Sequence, residues 1–439
     1  MGIFFGTDGL RGKVNDDLSH ETAYKCGNAL GAKFPNSKIL IGRDTRGTGD
    51  MIAMAFSTGA MNAGLNVTFV GVCPTAGISY LVTKLKFDFG VVISASHNLA
   101  AYNGIKIFDK TGRKISDRIE EELEKLFLKE YVVPFDKVGS LEINPRLVLF
   151  YEEFLSKSIK TSLENKTIVL DGANGAGYKI APAVFRDNKA KIIATFCKPD
   201  GLNINKDCGA LNISKLKKYV LKYKADMGFA FDGDSDRVIA VDEKGEIIDG
   251  DKILYLLALD YKENGHLNKN TVVGTRHTNI GIENALKAKG IELLRTDIGD
   301  KYVSAKMVEN ELSLGGEQSG HIILSEGLST GDGILTALKV AEICEKKHKK
   351  LSEFFDFELY KQKNINVEVS DKIRVINSAR LATLVEEEEK KLGSLGRIMI
   401  HISGTEPYIR VMVETKDAEL SENLADEIAK EIIQINKEI

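Results

Sequence analysis

Three aspartates alternate within five residues, Asp232-Gly-Asp-Ser-Asp236, directly after the apolar run Phe229-Ala-Phe231. Three carboxylates brought to one point repel one another unless a cation neutralises them, and a set of oxygen ligands suits Mg²⁺. Gly233 is expected to let the chain turn sharply between them. The spacing opens as an EF-hand does, with Glu243 in the twelfth place. However, Arg237 stands where that loop needs glycine, and Val238-Ile-Ala-Val241 has the character of a strand, so an EF-hand is excluded.

Other loops carry groups that complement a metal and a phosphate. Ser94-Ala-Ser-His-Asn98 sets hydroxyls beside a histidine and an amide, and Lys106 follows in Asn103-Gly-Ile-Lys106 as a candidate proton shuttle. Glu317, Ser319 and His321 supply acceptors and donors suited to sugar hydroxyls, with Gly316 and Gly320 letting the backbone come close. Ser403-Gly404-Thr405-Glu-Pro407, followed by Arg410, offers two hydroxyls, glycine-exposed N–H groups and a guanidinium, which together suit a phosphate. Gly172-Ala-Asn-Gly-Ala-Gly-Tyr178 lacks the lysine of a P-loop and does not fit a dinucleotide fingerprint, so it reads as a packed turn.

The elements that must position these loops are legible from periodicity. Lys38–Gly42, Phe89–Ile93, Thr167–Leu170 and Asp226–Phe231 are short apolar runs with strand character, while Thr48–Ala63 and Ile213–Lys222 have helical spacing. Such alternation indicates α/β domains with mainly parallel strands. Three times an apolar strand runs into a polar loop: Val91–Ile93 into Ser94, Phe229–Phe231 into Asp232, and Leu312–Leu314 into Gly315. Ligands of open α/β sheets gather at the carboxyl ends of strands. Three related α/β domains facing one cleft are therefore expected. After residue 362 the pattern changes to strand, charged helix, two strands and a final helix, that is, a smaller α+β domain. The expected domain boundaries are 1–148, 149–248, 249–362 and 363–439. The run Glu386–Lys391 reads as a solvated helix face.

Composition narrows the function classes. The 439 residues suit about three domains. A net charge of −3, from 60 basic and 63 acidic residues, argues against binding nucleic acid or an anionic membrane. No apolar run approaches the ~20 residues of a membrane span, and the N-terminus lacks the pattern of a signal peptide. Five scattered cysteines without a C-x-x-C suit a reducing cytoplasm rather than a disulfide frame or a zinc site.

Taken together these stretches resemble the α-D-phosphohexomutase family, and most closely its branch acting on glucosamine phosphates. The resemblance runs through the whole chain in the family's order: Phe5-Gly-Thr-Asp-Gly-Leu-Arg-Gly12, the Ser94, Asn103, Asp232 and Gly316 loops, and Ser403–Pro407. Gly299-Asp-Lys-Tyr-Val303 and Gln318 favour the glucosamine branch. The resemblance implies that Ser96 carries a phosphoryl group and that Asp232, Asp234 and Asp236 hold Mg²⁺ with it. It implies that Arg11, His97 and Lys106 surround the transferring phosphoryl, with Lys106 as general acid/base. Arg237 would support the metal loop, Glu317 and Ser319 would grip the sugar, and Ser403, Gly404, Thr405 and Arg410 the phosphate that is not reacting.

The implied activity is interconversion of glucosamine 6-phosphate and glucosamine 1-phosphate by way of a 1,6-bisphosphate, in a cytoplasmic monomer or homodimer whose partner is a small sugar phosphate. The same chemistry on glucose or mannose phosphates, a non-catalytic sugar-phosphate binder and a metal-dependent phosphatase are the alternatives. This sequence departs from the family at Leu99, where proline is usual. It also departs at His401-Ile402, where the phosphate loop usually opens with Arg or Lys, and at His277.

Overall fold

The computed structural model describes residues 5–6, 9–403 and 407–438. The first sheet is built from β1 (Phe5–Gly6), β2 (Gly9–Lys13), β3 (Lys38–Arg43), β4 (Asn66–Val72), β5 (Phe89–Ile93), β6 (Tyr102–Asp109) and β7 (Leu141–Ile143). Their spatial order is β1-β2-β6-β5-β3-β4-β7. β5, β3, β4 and β7 run parallel, whereas β6, β2 and β1 follow from β5 with each strand antiparallel to its neighbour. β5 is buried along its whole length, which is why Phe-Gly-Val-Val-Ile reads as a continuous apolar run rather than an alternating one.

The second sheet comprises β8 (Thr167–Asp171), β9 (Lys191–Thr195), β10 (Met227–Phe231), β11 (Val238–Asp242) and β12 (Ile247–Ile248), in the order β12-β11-β10-β8-β9. The third comprises β13 (Thr271–Thr275), β14 (Glu292–Thr296), β15 (Leu314–Gly316) and β16 (Ile322–Leu324), in the order β14-β13-β15-β16.

One device recurs in all three sheets. A strand of the parallel portion turns back antiparallel, and the connecting loop is one of the polar stretches singled out above. Ile93 pairs with Ile105 across the Ser94 loop, Phe231 with Val238 across the aspartate loop, and Gly316 with Ile322 across the Glu317 loop. The strand-then-polar-loop repeat is thus a repeat of hairpins at the carboxyl ends of parallel strands.

Two compact units emerge from the packing: Met1–His277 with Gly290–Phe355, and Thr278–Lys289 with Asp356–Ile439. The second unit centres on an antiparallel sheet of β17 (Lys361–Glu368), β18 (Gly396–Ile402) and β19 (Tyr408–Thr415), in the order β17-β19-β18. Ile409, Val411 and Val413 alternate along β19 and bury against Leu424, Ile428 and Ile432 of the helix Ala418–Glu438. The charged helix, which apolar spacing puts at 376–391, runs over Ala379–Leu392. Asp371 caps a separate short helix, Lys372–Ile376, by accepting from the N–H groups of Ile373 and Arg374. Lys390 pairs with Glu386 at 2.8 Å on the exposed face of the longer helix.

The helix Ile280–Ala288 joins this unit through a buried carboxylate. Glu414 accepts from Arg397 Nε at 2.6 Å and from the Ile280 N–H at 3.1 Å, while Arg397 Nη2 donates to the Thr278 carbonyl at 2.8 Å. Asn279 and Tyr360 exchange two further bonds of 3.0 Å. Removing one partner from a buried pair strands the other charge, at about 3–5 kcal/mol. Arg397→Ala is expected to lower unfolding stability by about 3 kcal/mol, with the loss seen first in denaturant melts followed by a probe in the second unit. An unchanged midpoint would show that Glu414 is satisfied without its guanidinium.

Candidate active site

Ser96 stands in the hairpin after β5, with φ at 49°, a left-handed conformation unusual for a residue with a Cβ. Its hydroxyl donates to Asp232 Oδ2 at 2.6 Å, and His97 Nδ1 lies 3.4 Å from the same oxygen. Ser94, the other hydroxyl of the loop, is already engaged. Its Oγ donates to Asp44 Oδ2 at 2.6 Å and accepts from the Ser96 N–H at 2.9 Å. Ser94 therefore shapes the loop and leaves Ser96 as the hydroxyl that faces the aspartates.

Asp232, Asp234 and Asp236 are buried, and each offers an oxygen lying within 4.8 Å of the others'. Burial, then the charges of Asp236 and Asp234, push the Asp232 carboxyl well above the usual carboxylate range. Burial also works against charge on Asp236, but Lys106, His321 and Arg237 outweigh it and hold that carboxyl well below the range. Lys106, itself buried, lies 2.8 Å from Asp234 Oδ2 and 3.5 Å from Asp236 Oδ2. Thr75 completes the second aspartate's shell. Its hydroxyl donates to Asp234 Oδ2 at 2.6 Å, and its N–H to the Asp234 carbonyl at 3.0 Å.

Two oxygens are left over. Asp234 Oδ1 and Asp236 Oδ1 are buried and have no hydrogen-bond partner among the described residues. Buried polar atoms are ordinarily paired, so two orphaned anionic oxygens beside a third carboxylate fit a hard cation. Arg237 belongs to the same loop, with its N–H on Asp232 Oδ1 at 3.2 Å and its Nε 3.8 Å from Asp236 Oδ1.

Gly233 is needed for a reason other than a sharp turn. The left-handed position of this loop is Ser235, with φ at 59°. A Cβ on Gly233 would instead lie 2.5 Å from the Ser96 carbonyl oxygen, so the glycine lets the aspartate loop lie against the serine loop. The stretch Gly172–Tyr178, expected to be a packed turn, backs this arrangement. A Cβ on Gly175 would meet the Gly233 carbonyl at 2.4 Å, and the Ala176 N–H donates to it at 2.8 Å.

The remaining expected residues converge on the same region of the first unit. Arg11 Nη1 donates to Asn98 Oδ1 at 3.3 Å. His97 is lowered to about 4 by burial and then by Arg237 and Arg11, so its ring is neutral near pH 7. Glu317 Oε1 accepts from the Gly299 N–H at 3.2 Å, and burial raises its carboxyl. Ser319 Oγ is buried without a hydrogen-bond partner among the described residues. His321 Nε2 accepts from the Gly331 N–H at 3.0 Å, with Nδ1 3.6 Å from Asp236 Oδ2.

The phosphate loop belongs to the second unit. Gly404 and Thr405 lie outside the described residues. Ser403 is buried and its N–H donates to the Tyr408 carbonyl at 2.9 Å, while Arg410 is exposed on β19 directly opposite His401 on β18. A basic residue does reach the start of this loop: Lys372 Nζ donates to the Ser403 carbonyl at 2.8 Å.

Thr75, Lys372 and the pair Asp44–Arg46 were not singled out by sequence reasoning, nor was Asn205, whose side chain meets the serine loop from the second sheet's domain. For Asp44–Arg46 a signal existed. Arg43-Asp-Thr-Arg46 follows the apolar run Lys38–Gly42 in the same strand-then-polar-loop pattern as the other sites.

Comparison with known proteins agrees with this geometry. Family models for phosphoglucomutase/phosphomannomutase match in four successive parts: alpha/beta/alpha domain I at 2–132, domain II at 149–245, domain III at 249–360 and the C-terminal domain at 365–431. The chain is 44% identical to the phosphoglucosamine mutase of Carboxydothermus hydrogenoformans over 98% of each chain. It is 43% identical to that of Pelotomaculum thermopropionicum over 100% of each. Among solved structures, a phosphoglucomutase/phosphomannomutase family protein from Burkholderia thailandensis superimposes with a TM-score of 0.83 at 21% identity, over 99% of this chain and 97% of that one. The Aspergillus fumigatus N-acetylphosphoglucosamine mutase in complex with GlcNAc-6P and magnesium does so with 0.67 at 18% identity, over 99% and 96%. With all four domains matched in order and near-identical lengths shared with such relatives, the chain belongs to the phosphoglucomutase/phosphomannomutase family, the α-D-phosphohexomutases.

Proposed function

We propose that the protein interconverts glucosamine 6-phosphate and glucosamine 1-phosphate through phosphorylated Ser96 and a 1,6-bisphosphate. The observation that carries this is the Ser96 hydroxyl bonded into a buried cluster of three aspartates and a lysine. The choice of glucosamine is supported by the shared name of relatives 40–44% identical over nearly the full chain. The expected domains, 1–148, 149–248, 249–362 and 363–439, would then carry the phosphoserine, the metal, the sugar-gripping residues and the distal phosphate site in turn.

Asp232, Asp234, Asp236 and the phosphoserine would hold Mg²⁺, a choice supported by their hard oxygen donors and by magnesium in the Aspergillus relative. When bound, the ion offsets the roughly −1.5 to −2 charge of phosphoserine and the charge spread over the transferring phosphoryl.

The chain's own residues do the rest. The P–Oγ bond at Ser96 breaks as a P–O bond forms to the 1-hydroxyl of glucosamine 6-phosphate. The hydroxyl proton is relayed by Lys106 Nζ and ends on Ser96 Oγ. Arg11 and Arg237 offset charge on the moving group, and neutral His97 offers it a hydrogen bond. In the second half the bisphosphate returns its 6-phosphoryl to Ser96, and the proton of Ser96 Oγ passes to the 6-oxygen. One serine serves both ends, so the intermediate must turn round. Glu317 and Ser319 accordingly grip ring hydroxyls in either orientation, and Ser403, Gly404, Thr405 and Arg410 take whichever phosphate is not reacting.

A cytoplasmic setting is supported by five cysteines that are all free thiols. Among the described residues no helix is long and apolar enough to cross a membrane.

Turnover of glucosamine 6-phosphate, glucose 6-phosphate and mannose 6-phosphate on one preparation tests the substrate, with Ser96→Ala alongside. Glucosamine 6-phosphate should have the highest kcat/KM, and Ser96→Ala should be inactive at an unchanged Tm. Preference for glucose or mannose phosphate would overturn the substrate, and an active Ser96→Ala would overturn the chemistry.

Metal binding has a readout independent of turnover. A ligand that binds only the folded state at 100 times its Kd stabilises it by about 2.7 kcal/mol, so Mg²⁺ should raise the Tm of the wild type. Asp234→Asn should lose most of that rise; the same rise in both proteins would put the metal elsewhere.

For the distal phosphate, charge-assisted hydrogen bonds contribute about 1.5–3 kcal/mol. Arg410→Ala is therefore expected to raise KM roughly 10- to 100-fold with kcat little changed. An unaltered KM would remove Arg410 from the phosphate site.

A further inference from the structure

Beyond the residues that would touch the phosphoryl group, one fully buried guanidinium uses all three of its nitrogens on the serine loop and its anchor. Arg46 Nε donates to Asp44 Oδ2 at 2.9 Å. Nη1 donates to the carbonyls of Leu99 and Tyr102, the latter at 3.0 Å, and Nη2 to those of Ser96 at 2.9 Å and Asn98 at 2.8 Å. Asp44 in turn accepts from Ser94 Oγ, which holds the Ser96 N–H. From the second sheet's domain, Asn205 Nδ2 donates to the same Ser96 and Asn98 carbonyls, at 2.8 and 2.9 Å.

We infer that Arg46, backed by Asp44 and Asn205, is a positioning residue that fixes Ser96 as the phosphoryl carrier. Ser96 is held in a left-handed conformation that residues with a Cβ adopt only when the surroundings enforce it. The enforcing groups are on the page: two side-chain donors on the Ser96 carbonyl, and one side-chain acceptor, Ser94 Oγ, on its N–H. With the peptide pinned on both sides, the Cα–Cβ direction is fixed, and from it Oγ reaches Asp232 Oδ2 at 2.6 Å. The clamp also reaches residue 99, where Arg46 Nη1 donates to the Leu99 carbonyl. Lysine cannot substitute, because a single ammonium lacks the planar fork that reaches four carbonyls and a carboxylate at once.

The inference rests on Ser96 being the phosphoryl carrier, and its test separates the two. Both half-reactions pass through Ser96 Oγ, while the sugar is gripped by other loops. A misplacement of the order of 1 Å costs roughly 100-fold in rate, so Arg46→Lys should lower kcat about 100-fold and leave KM for the sugar phosphate within about threefold. Asn205→Asp, which keeps the shape and tolerates the positive φ of 57° at this position but loses the donors, should shift kcat the same way by a smaller factor. Hydrogen exchange should quicken in the peptide covering 94–104 and not in the sheet strands. If Arg46→Lys does not fold, Asn205→Asp decides alone.

The inference is overturned if the folded variants keep kcat within about twofold of wild type, or if KM moves while kcat does not. It is also overturned if Tm falls with turnover intact, which marks a purely structural residue. Retained activity in Ser96→Ala would instead overturn the underlying chemistry, whatever Arg46→Lys does.

Discussion

Three carboxylates held out of water within 4.8 Å of one another cannot all keep their charge unaided, and the surrounding structure is organised by that constraint. The fold meets it in part with Lys106, whose own burial would be costly without Asp234 and Asp236 beside it. Thr75 and the Arg237 N–H satisfy further oxygens, and Ser96 donates the last proton of the set to Asp232. The buried Oδ1 atoms of Asp234 and Asp236 have no hydrogen-bond partner among the described residues, and they suit further positive charge.

Bringing such a cluster together requires segments far apart in sequence, and the recurring hairpin does it. In each of the three α/β sheets the chain reaches the carboxyl end of a parallel strand and returns antiparallel beside it. The turn is therefore tied at both ends by a ladder, which restricts it far more than a strand-to-helix loop would be restricted. Close glycine contacts then set neighbouring loops together: Gly233 against Ser96, and Gly175 against Gly233. Side chains at these two positions would push the aspartates away from the serine they serve.

Residue type and spacing made the chemical groups legible. The aspartate triad can be picked out by spacing alone, because three carboxylates after a buried strand call for positive charge, whereas Ser96, Lys106 and the Glu317 loop stand out only through the resemblance to a family. The strands themselves were readable too: Phe89–Ile93 is apolar at every position because helices cover both faces of a parallel sheet. Residues that act on backbone carbonyls left a weaker trace. Arg46, Asn205 and Lys372 donate to carbonyl oxygens, which every residue possesses, so no partner type in the sequence pairs with them. Asn205 and Thr75 also work across domains, where separation along the chain carries no periodic signal. The short helix Lys372–Ile376, which precedes the charged helix, depends on capping by Asp371, a local device that apolar spacing does not record.

The absence of proline at position 99 acquires a physical meaning in this setting. A proline stiffens a loop covalently and does so in the unfolded chain as well as the folded one. Hydrogen bonds from Arg46 and Asn205 act only once their donors are in place, and one of those donors comes from another domain. The Ser96 conformation is therefore held by tertiary contacts, from Arg46 in its own domain and Asn205 in the second, rather than by a stiff residue in the loop. Thr75, reaching from the first domain to Asp234, ties the aspartate loop to the same junction. That coupling is a stronger reason for burying so many polar groups at this junction than the stability they confer, since buried ion pairs seldom repay their desolvation by much.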